Sequence, residues 1–202
     1  MTDYPKLYTG IGRAAWGYFF IYFDINLNTV SILPSFIGYL LFLSAINHLC
    51  DEERELNLLR TLGIILTVWH IASWFASFGA IKLDGMLPAV DIIIGVVNIY
   101  FHFQLLTNLA SIAAKYQSED HEFDAKLLRY RTMQTVMLTA VIILGYLAKW
   151  QTELVTVISV GMIIVYLIVA VLLMKALFDL RRDISIDSDS NDTDMDTDTE
   201  EL

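Results

Sequence analysis

Residues 61–81 read TLGIILTVWHIASWFASFGAI, 21 consecutive residues without a formal charge. A helix rises 1.5 Å per residue, so about 20 apolar residues cross a hydrocarbon core of roughly 30 Å. The stretch reads as a transmembrane helix, with lipid as its solvent. Outward from it the pattern repeats. Residues 92–114 form an uncharged block of 23, 132–148 one of 17, 154–174 one of 21 and 32–50 one of 19. Pro34 suits the first turn of that last helix, where no backbone donor is lost. Charged residues make up 18% of the chain and hydrophobic ones 56%, whereas a soluble domain is about a quarter charged. The fold class that follows is all-α, a polytopic transmembrane helix bundle.

The first apolar segment is shorter. Ten uncharged residues lie between Arg13 and Asp24, among them Trp16, Tyr18, Phe19, Phe20, Tyr22 and Phe23. One reading is a span over 7–28, with Arg13 snorkelling to one interface and Asp24, Asn26 and Asn28 at the other. The other is an aromatic helix lying in the interface. Charge asymmetry separates them. Six spans with the N-terminus inside put Lys6, Arg13, Arg54, Arg60, Lys115, Lys126, Arg129, Arg131, Lys175, Arg181 and Arg182 inside, and only Lys82 and Lys149 outside. Five spans move Lys6 and Arg13 outside. The positive-inside rule favours six. The expected spans are 7–28, 32–50, 61–81, 89–114, 132–149 and 154–178, with both termini cytoplasmic.

The net charge of −10 belongs to the tail. Residues 185–202 hold eight acidic side chains and no basic one. From 184 the chain reads ISIDSDSNDTDMDTDTEEL, low in complexity, and 183–202 is expected to be disordered. Such a tail is repelled by nucleic acid and by anionic lipid, which excludes a nucleic-acid partner. The single cysteine, Cys50, implies no oxidising compartment. The 51–60 segment, DEERELNLLR, is expected to extend a helix beyond the membrane, and 115–131 to be partly helical.

Intramembrane polar groups are costly, so function is sought there first. Asp91, Gly95, Asn98 and His102 fall at i, i+4, i+7 and i+11, on one face of the fourth helix. His70 on the third helix lies near the depth of Asn98 and His102. A titratable polar path is the functional reading. The plainer reading makes Asp91 a helix N-terminal carboxylate and Asn98 and the histidines interhelical hydrogen-bonding groups. Asp24, Asn26 and Asn28 read as a polar turn between spans, or as an outward-facing ligand site. Ala72/Ala76 and Ser73/Ser77 suggest close helix contact on the third helix.

Familiar catalytic patterns are absent: no HExxH, no GxSxG, no GxxxxGK[ST]. Glu52-Glu53 lacks the arginine of an EExxxR site, since position 57 is Asn. Asp187, Asp189 and Asn191 open like a calcium loop, but position six is Asp192 rather than glycine. No metal and no cofactor is expected.

The run FDINLNTVSILPSFIGY, from Phe23 through Asp24, Leu27, Leu33, Pro34, Ser35, Phe36, Ile37 and Gly38 to Tyr39, resembles uncharacterised small multi-pass membrane proteins of low-GC Gram-positive bacteria. Those begin with an aromatic segment, an F-D-x-x-L turn and L-P-x-F-I-G-Y. The resemblance covers about residues 10–50 and departs at Ser35, where an aspartate is usual. It implies a bacterial plasma membrane and carries no activity. The expectation is a non-enzymatic accessory, scaffold or regulatory membrane protein, contacting lipid and a protein partner through its tail or helix faces. The alternatives are a small-solute or ion transporter using the fourth-helix stripe, and an intramembrane enzyme using the same groups.

Overall fold

The computed structural model describes residues 4–23, 26–27, 30–31, 34–78, 88–118, 121–147 and 152–197. The side chains of 26, 27, 30, 31, 145–147, 152–156, 159 and 185–197 lie outside that description. The described residues form six helices: α1 (Tyr4–Tyr22), α2 (Ser35–Leu49), α3 (Leu56–Phe78), α4 (Pro88–Tyr116), α5 (Phe123–Leu147) and α6 (Thr152–Thr197). Four are long and apolar enough to cross a membrane: Leu56–Phe78, Pro88–Tyr116, Phe123–Leu144 and Val160–Ile184. Their large apolar side chains point outward, as with Val68 and Phe75 on α3, Ile93 on α4, Val136 on α5 and Ile164 on α6. Exposure of this kind suits lipid, which solvates such surfaces as well as a core does.

Each helix packs on the next, and α6 returns to pack on α1, so the six close into a ring. The joint between α1 and α2 is built on glycine. A Cβ on Gly17 would lie 2.6 Å from the Phe42 ring and 3.0 Å from the Gly38 carbonyl. One on Gly38 would lie 2.7 Å from the Gly17 carbonyl. Gly10 meets Leu49 in the same way at 2.6 Å. The pairings run in opposite directions along the two helices, so α1 and α2 are antiparallel, with backbones in near contact at Gly17 and Gly38. The other flank of α1 runs antiparallel to α6: Trp16 lies edge-on to Phe178 and Tyr22 edge-on to Tyr166. Leu7, Ile11, Ala14, Ala15 and Tyr18 are fully buried between the two neighbours. The first helix therefore packs lengthwise between α2 and α6.

Several boundaries differ from the sequence reading. α1 ends at Tyr22, not 28, and Asn26–Leu27 pairs antiparallel with Val30–Ser31. Residues 51–55 form turns, and helix resumes only at Leu56. Their carboxylates bond α4 instead of extending a helix: Glu53 accepts from Ser111 (2.9 Å), Glu55 from Gln104 (2.9 Å), and Glu52 from the Tyr116 hydroxyl. At the other end Asp183 and Ile184 belong to the bundle, being 7% and 1% exposed. Asp183 accepts from the backbone N–H and the hydroxyl of Ser118, at 2.9 and 3.0 Å, and lies 3.1 Å from Nδ1 of His121. The helical backbone of α6 continues to Thr197, where 183–202 reads as disordered. Extending an existing helix requires no new nucleus, so composition alone does not set where it stops.

Of the small residues singled out on α3, Ser73 has a buried hydroxyl. Ala72 is exposed, and the Ser77 hydroxyl bonds back to the Trp74 carbonyl at 2.6 Å. The tight position on α3 is Gly63, where a Cβ would lie 2.8 Å from Leu43 and 3.2 Å from Phe101.

Candidate functional site

Tyr39, on α2, is a centre to which polar residues of neighbouring helices converge. Its hydroxyl donates to Oδ1 of Asn98 on α4 at 2.7 Å. Its ring stacks on His70 of α3, with centroids 4.7 Å apart and planes 18° from parallel. His102 of α4 stands 6.2 Å from the same ring. Nδ1 of His70 lies 3.0 Å from the Ser35 hydroxyl, one turn before Tyr39 on α2. Nδ1 of His102 lies 3.5 Å from the Tyr18 hydroxyl of α1. Tyr18 stacks on Tyr22, which meets Tyr166 of α6 at 4.9 Å between centroids. Phe42 packs edge-on against Tyr18, Tyr39 and His102. The outcome is an aromatic and imidazole core drawn from α1, α2, α3, α4 and α6.

Local geometry explains the gathering. Glycines at 17 and 38 bring α1 and α2 together, so Tyr18 and Tyr39 reach α4 rather than lipid. Asn98 and His102 are one turn apart and share a face. Tyr39, Ser35 and Tyr18 each find a polar partner on another helix, whereas the buried Tyr22 hydroxyl has no hydrogen-bond partner among the described residues.

Of the residues singled out by spacing, His70, Asn98 and His102 come together, with Tyr39 between them. Asp91 does not join them. It is half-buried in the first turn of α4, seven residues and roughly 10 Å of helix before Asn98. Gly95 turns toward α5, where a Cβ would lie 2.9 Å from Ile142. The four-residue stripe therefore divides between two neighbours. Among the described residues no group of three or more His, Cys, Asp or Glu is placed to hold a metal. The Asx turn falls largely outside the described residues: Asp24 and Asn28 are not described, and Asn26 is described only as backbone paired with Ser31.

Sequence spacing missed Ser35, Tyr39 and Tyr18. Aromatic residues in an apolar block carry no period of their own. The available signal was Ser35 and Tyr39 at i and i+4 beside Gly38.

A second polar group occupies the other half of α4. Gln104 donates to Glu55 and to Oδ1 of Asn108, and Arg131 of α5 donates to Thr107 at 3.0 Å while lying over the Phe103 ring. α4 also presents Phe101, Leu105, Leu106 and Leu109 inward, all fully buried and interleaved with both polar groups.

No protein-family model, curated protein or solved structure matches this chain.

Proposed function

We propose that the chain is a six-span plasma-membrane protein with both termini in the cytoplasm, acting as a non-enzymatic accessory or regulatory protein. Four helices are apolar enough to span, and α1 and α2 lie antiparallel beside their neighbours, which supports six crossings. An even number of crossings returns the C-terminus to the side of the N-terminus, and the positive-inside rule puts that side in the cytoplasm. One observation carries the accessory reading. Polar groups of the bundle are spent on one another, as Tyr39 on Asn98 and Ser35 on His70. That is the behaviour of interhelical fastening.

Two measurements test it. Cys50, just after α2, should react with an impermeant maleimide only from the cytoplasmic side of sealed vesicles; labelling from outside would reverse the topology. Photocrosslinking from the acidic tail in native membranes should trap one reproducible protein partner, lost when the chain is truncated after Ile184. A chain that remains monomeric and uncrosslinked argues against the accessory role.

A second reading has an observation of its own. His102 is 2% exposed with an imidazole nitrogen 3.5 Å from Tyr18, in a core that His70 also enters. Proton or small-solute movement through that core predicts flux in liposomes that His70→Leu or Asn98→Leu abolishes. Flux equal in both variants and the parent rejects this reading.

A further inference from the structure

Arg181, near the end of the apolar part of α6, pairs with no carboxylate among the described residues. Its guanidinium lies over the ring of Tyr8 on α1, with Cζ 3.8 Å from the centroid. Its Nε is buried and has no hydrogen-bond partner. Gly12 makes the room. A Cβ there would lie 3.2 Å from Nε and 3.3 Å from Cζ, so an added methyl would make the guanidinium give by a few tenths of an ångström. The carboxylates nearest along α6 are engaged elsewhere: Asp179 faces Arg182 at 3.9 Å, and Asp183 holds Ser118 and His121. Arg13, the residue after Gly12, brings a second guanidinium to the same level of α1. Its partners, the Ser44 hydroxyl and His48 at 3.3 Å, are not anions. Trp16, one turn further along α1, is 47% exposed and lies edge-on to Phe178 of α6.

A planar cation seated on an aromatic ring, with no anion beside it among the described residues, is suited to an external phosphate. At the end of a membrane helix the phosphate at hand belongs to a lipid headgroup, and basic pockets between spanning helices on the cytoplasmic side bind such groups. We propose that the notch formed by Tyr8, Gly12 and Arg181 binds the phosphodiester of an anionic phospholipid. Arg181 donates to the phosphate oxygens, Arg13 adds favourable potential, and Trp16 flanks the acyl chains. The site rests on the transmembrane placement of α1 and α6 and is independent of the accessory role.

The test uses the full chain in a neutral detergent, with phosphatidylglycerol, phosphatidylcholine or inorganic phosphate as the probe. Bound lipid is counted by native mass spectrometry, and thermal midpoints are followed in parallel. Phosphatidylglycerol should bind and raise the midpoint, while phosphatidylcholine and inorganic phosphate should do neither. R181Q should weaken phosphatidylglycerol binding at least tenfold. R182Q removes the same charge from an exposed position and should leave binding unchanged. Arg181→Lys keeps the charge but loses the planar fork and the ring contact, and should weaken binding several-fold; it serves where R181Q does not fold. Equal lipid binding by parent and R181Q, or by parent and R181K where R181Q does not fold, overturns the site. So does a loss in R182Q as large as in R181Q. Inorganic phosphate binding as well as the lipid overturns the lipid assignment. Cys50 labelling reports separately on whether the membrane placement itself holds.

Discussion

α1 and α6 touch along much of their length, yet they are composed on opposite plans. α6 from Val160 to Ile184 is rich in Val, Ile and Leu, and Val160, Ile163, Ile164, Ile168 and Val171 face outward. α1 carries Gly10, Gly12, Ala14, Ala15 and Gly17 among tyrosines, and is not among the helices apolar enough to be recognised as spans. It is nevertheless buried along its length between α2 and α6. The difference follows from the solvent. Lipid tails are as apolar as leucine, so apolarity does not pull helices together in a bilayer. Small residues that let backbones approach, and polar groups that find partners, do so. Hydropathy therefore marks the surface of such a protein, and glycine and tyrosine mark its interior.

Substitutions on either plan test that distinction. Gly38→Val on the α1–α2 seam should be the most damaging. The added atoms meet the Gly17 carbonyl and Ile21, and overpacking of this kind costs about 3 kcal/mol. Denaturant titration in mixed micelles measures it; a loss no larger than that from a lipid-facing change would remove the seam from the core. Tyr39→Phe should follow. It deletes the donor to Asn98 while keeping the ring on His70, at about 1–2 kcal/mol for a membrane-buried hydrogen bond. A double-mutant cycle with Asn98→Leu isolates the pair, and a coupling indistinguishable from zero would refute the bond. Asp183→Asn weakens the hold of α6 on Ser118 and His121 and should cost about 1 kcal/mol. Faster hydrogen exchange at the Ser118 amide would show it locally. Ile164→Ala on the exposed face of α6 should cost under about 0.5 kcal/mol. A large loss there would mean that this face is covered by protein.

Much of the bundle is legible in the chain, for reasons that also set the limit. The uncharged blocks over 92–114 and 154–174 each lie within a helix, and the block from 61 does so as far as Phe78, where the described residues stop, because length and apolarity are what a bilayer requires. Spacing on α4 placed Asn98 and His102 together, and depth counting placed His70 beside them. It did not provide Tyr39, since nothing in an aromatic residue says whether it faces lipid or a histidine. Asp91 shares a face with Asn98 on a helical wheel, but a wheel is blind to which neighbour each turn meets. The carboxylates of 51–55 read as a helix extension because Glu and Arg favour helix. Their bonds to Ser111, Gln104 and Tyr116 are long-range facts that no local propensity contains.

Closure of the ring by its first and last helices has a consequence for synthesis. Between Tyr22 and Thr152 a ribosome adds roughly 130 residues, and at about 5–20 residues per second that takes on the order of ten seconds. Throughout that interval the flank of α1 that will receive α6, with Trp16 and the Gly12 notch, has no partner from its own chain. The insertion machinery or surrounding lipid must shelter a helix that is itself poorly apolar. The newborn protein is thus most vulnerable at its beginning, and that vulnerability ends only when nearly the whole chain has been made.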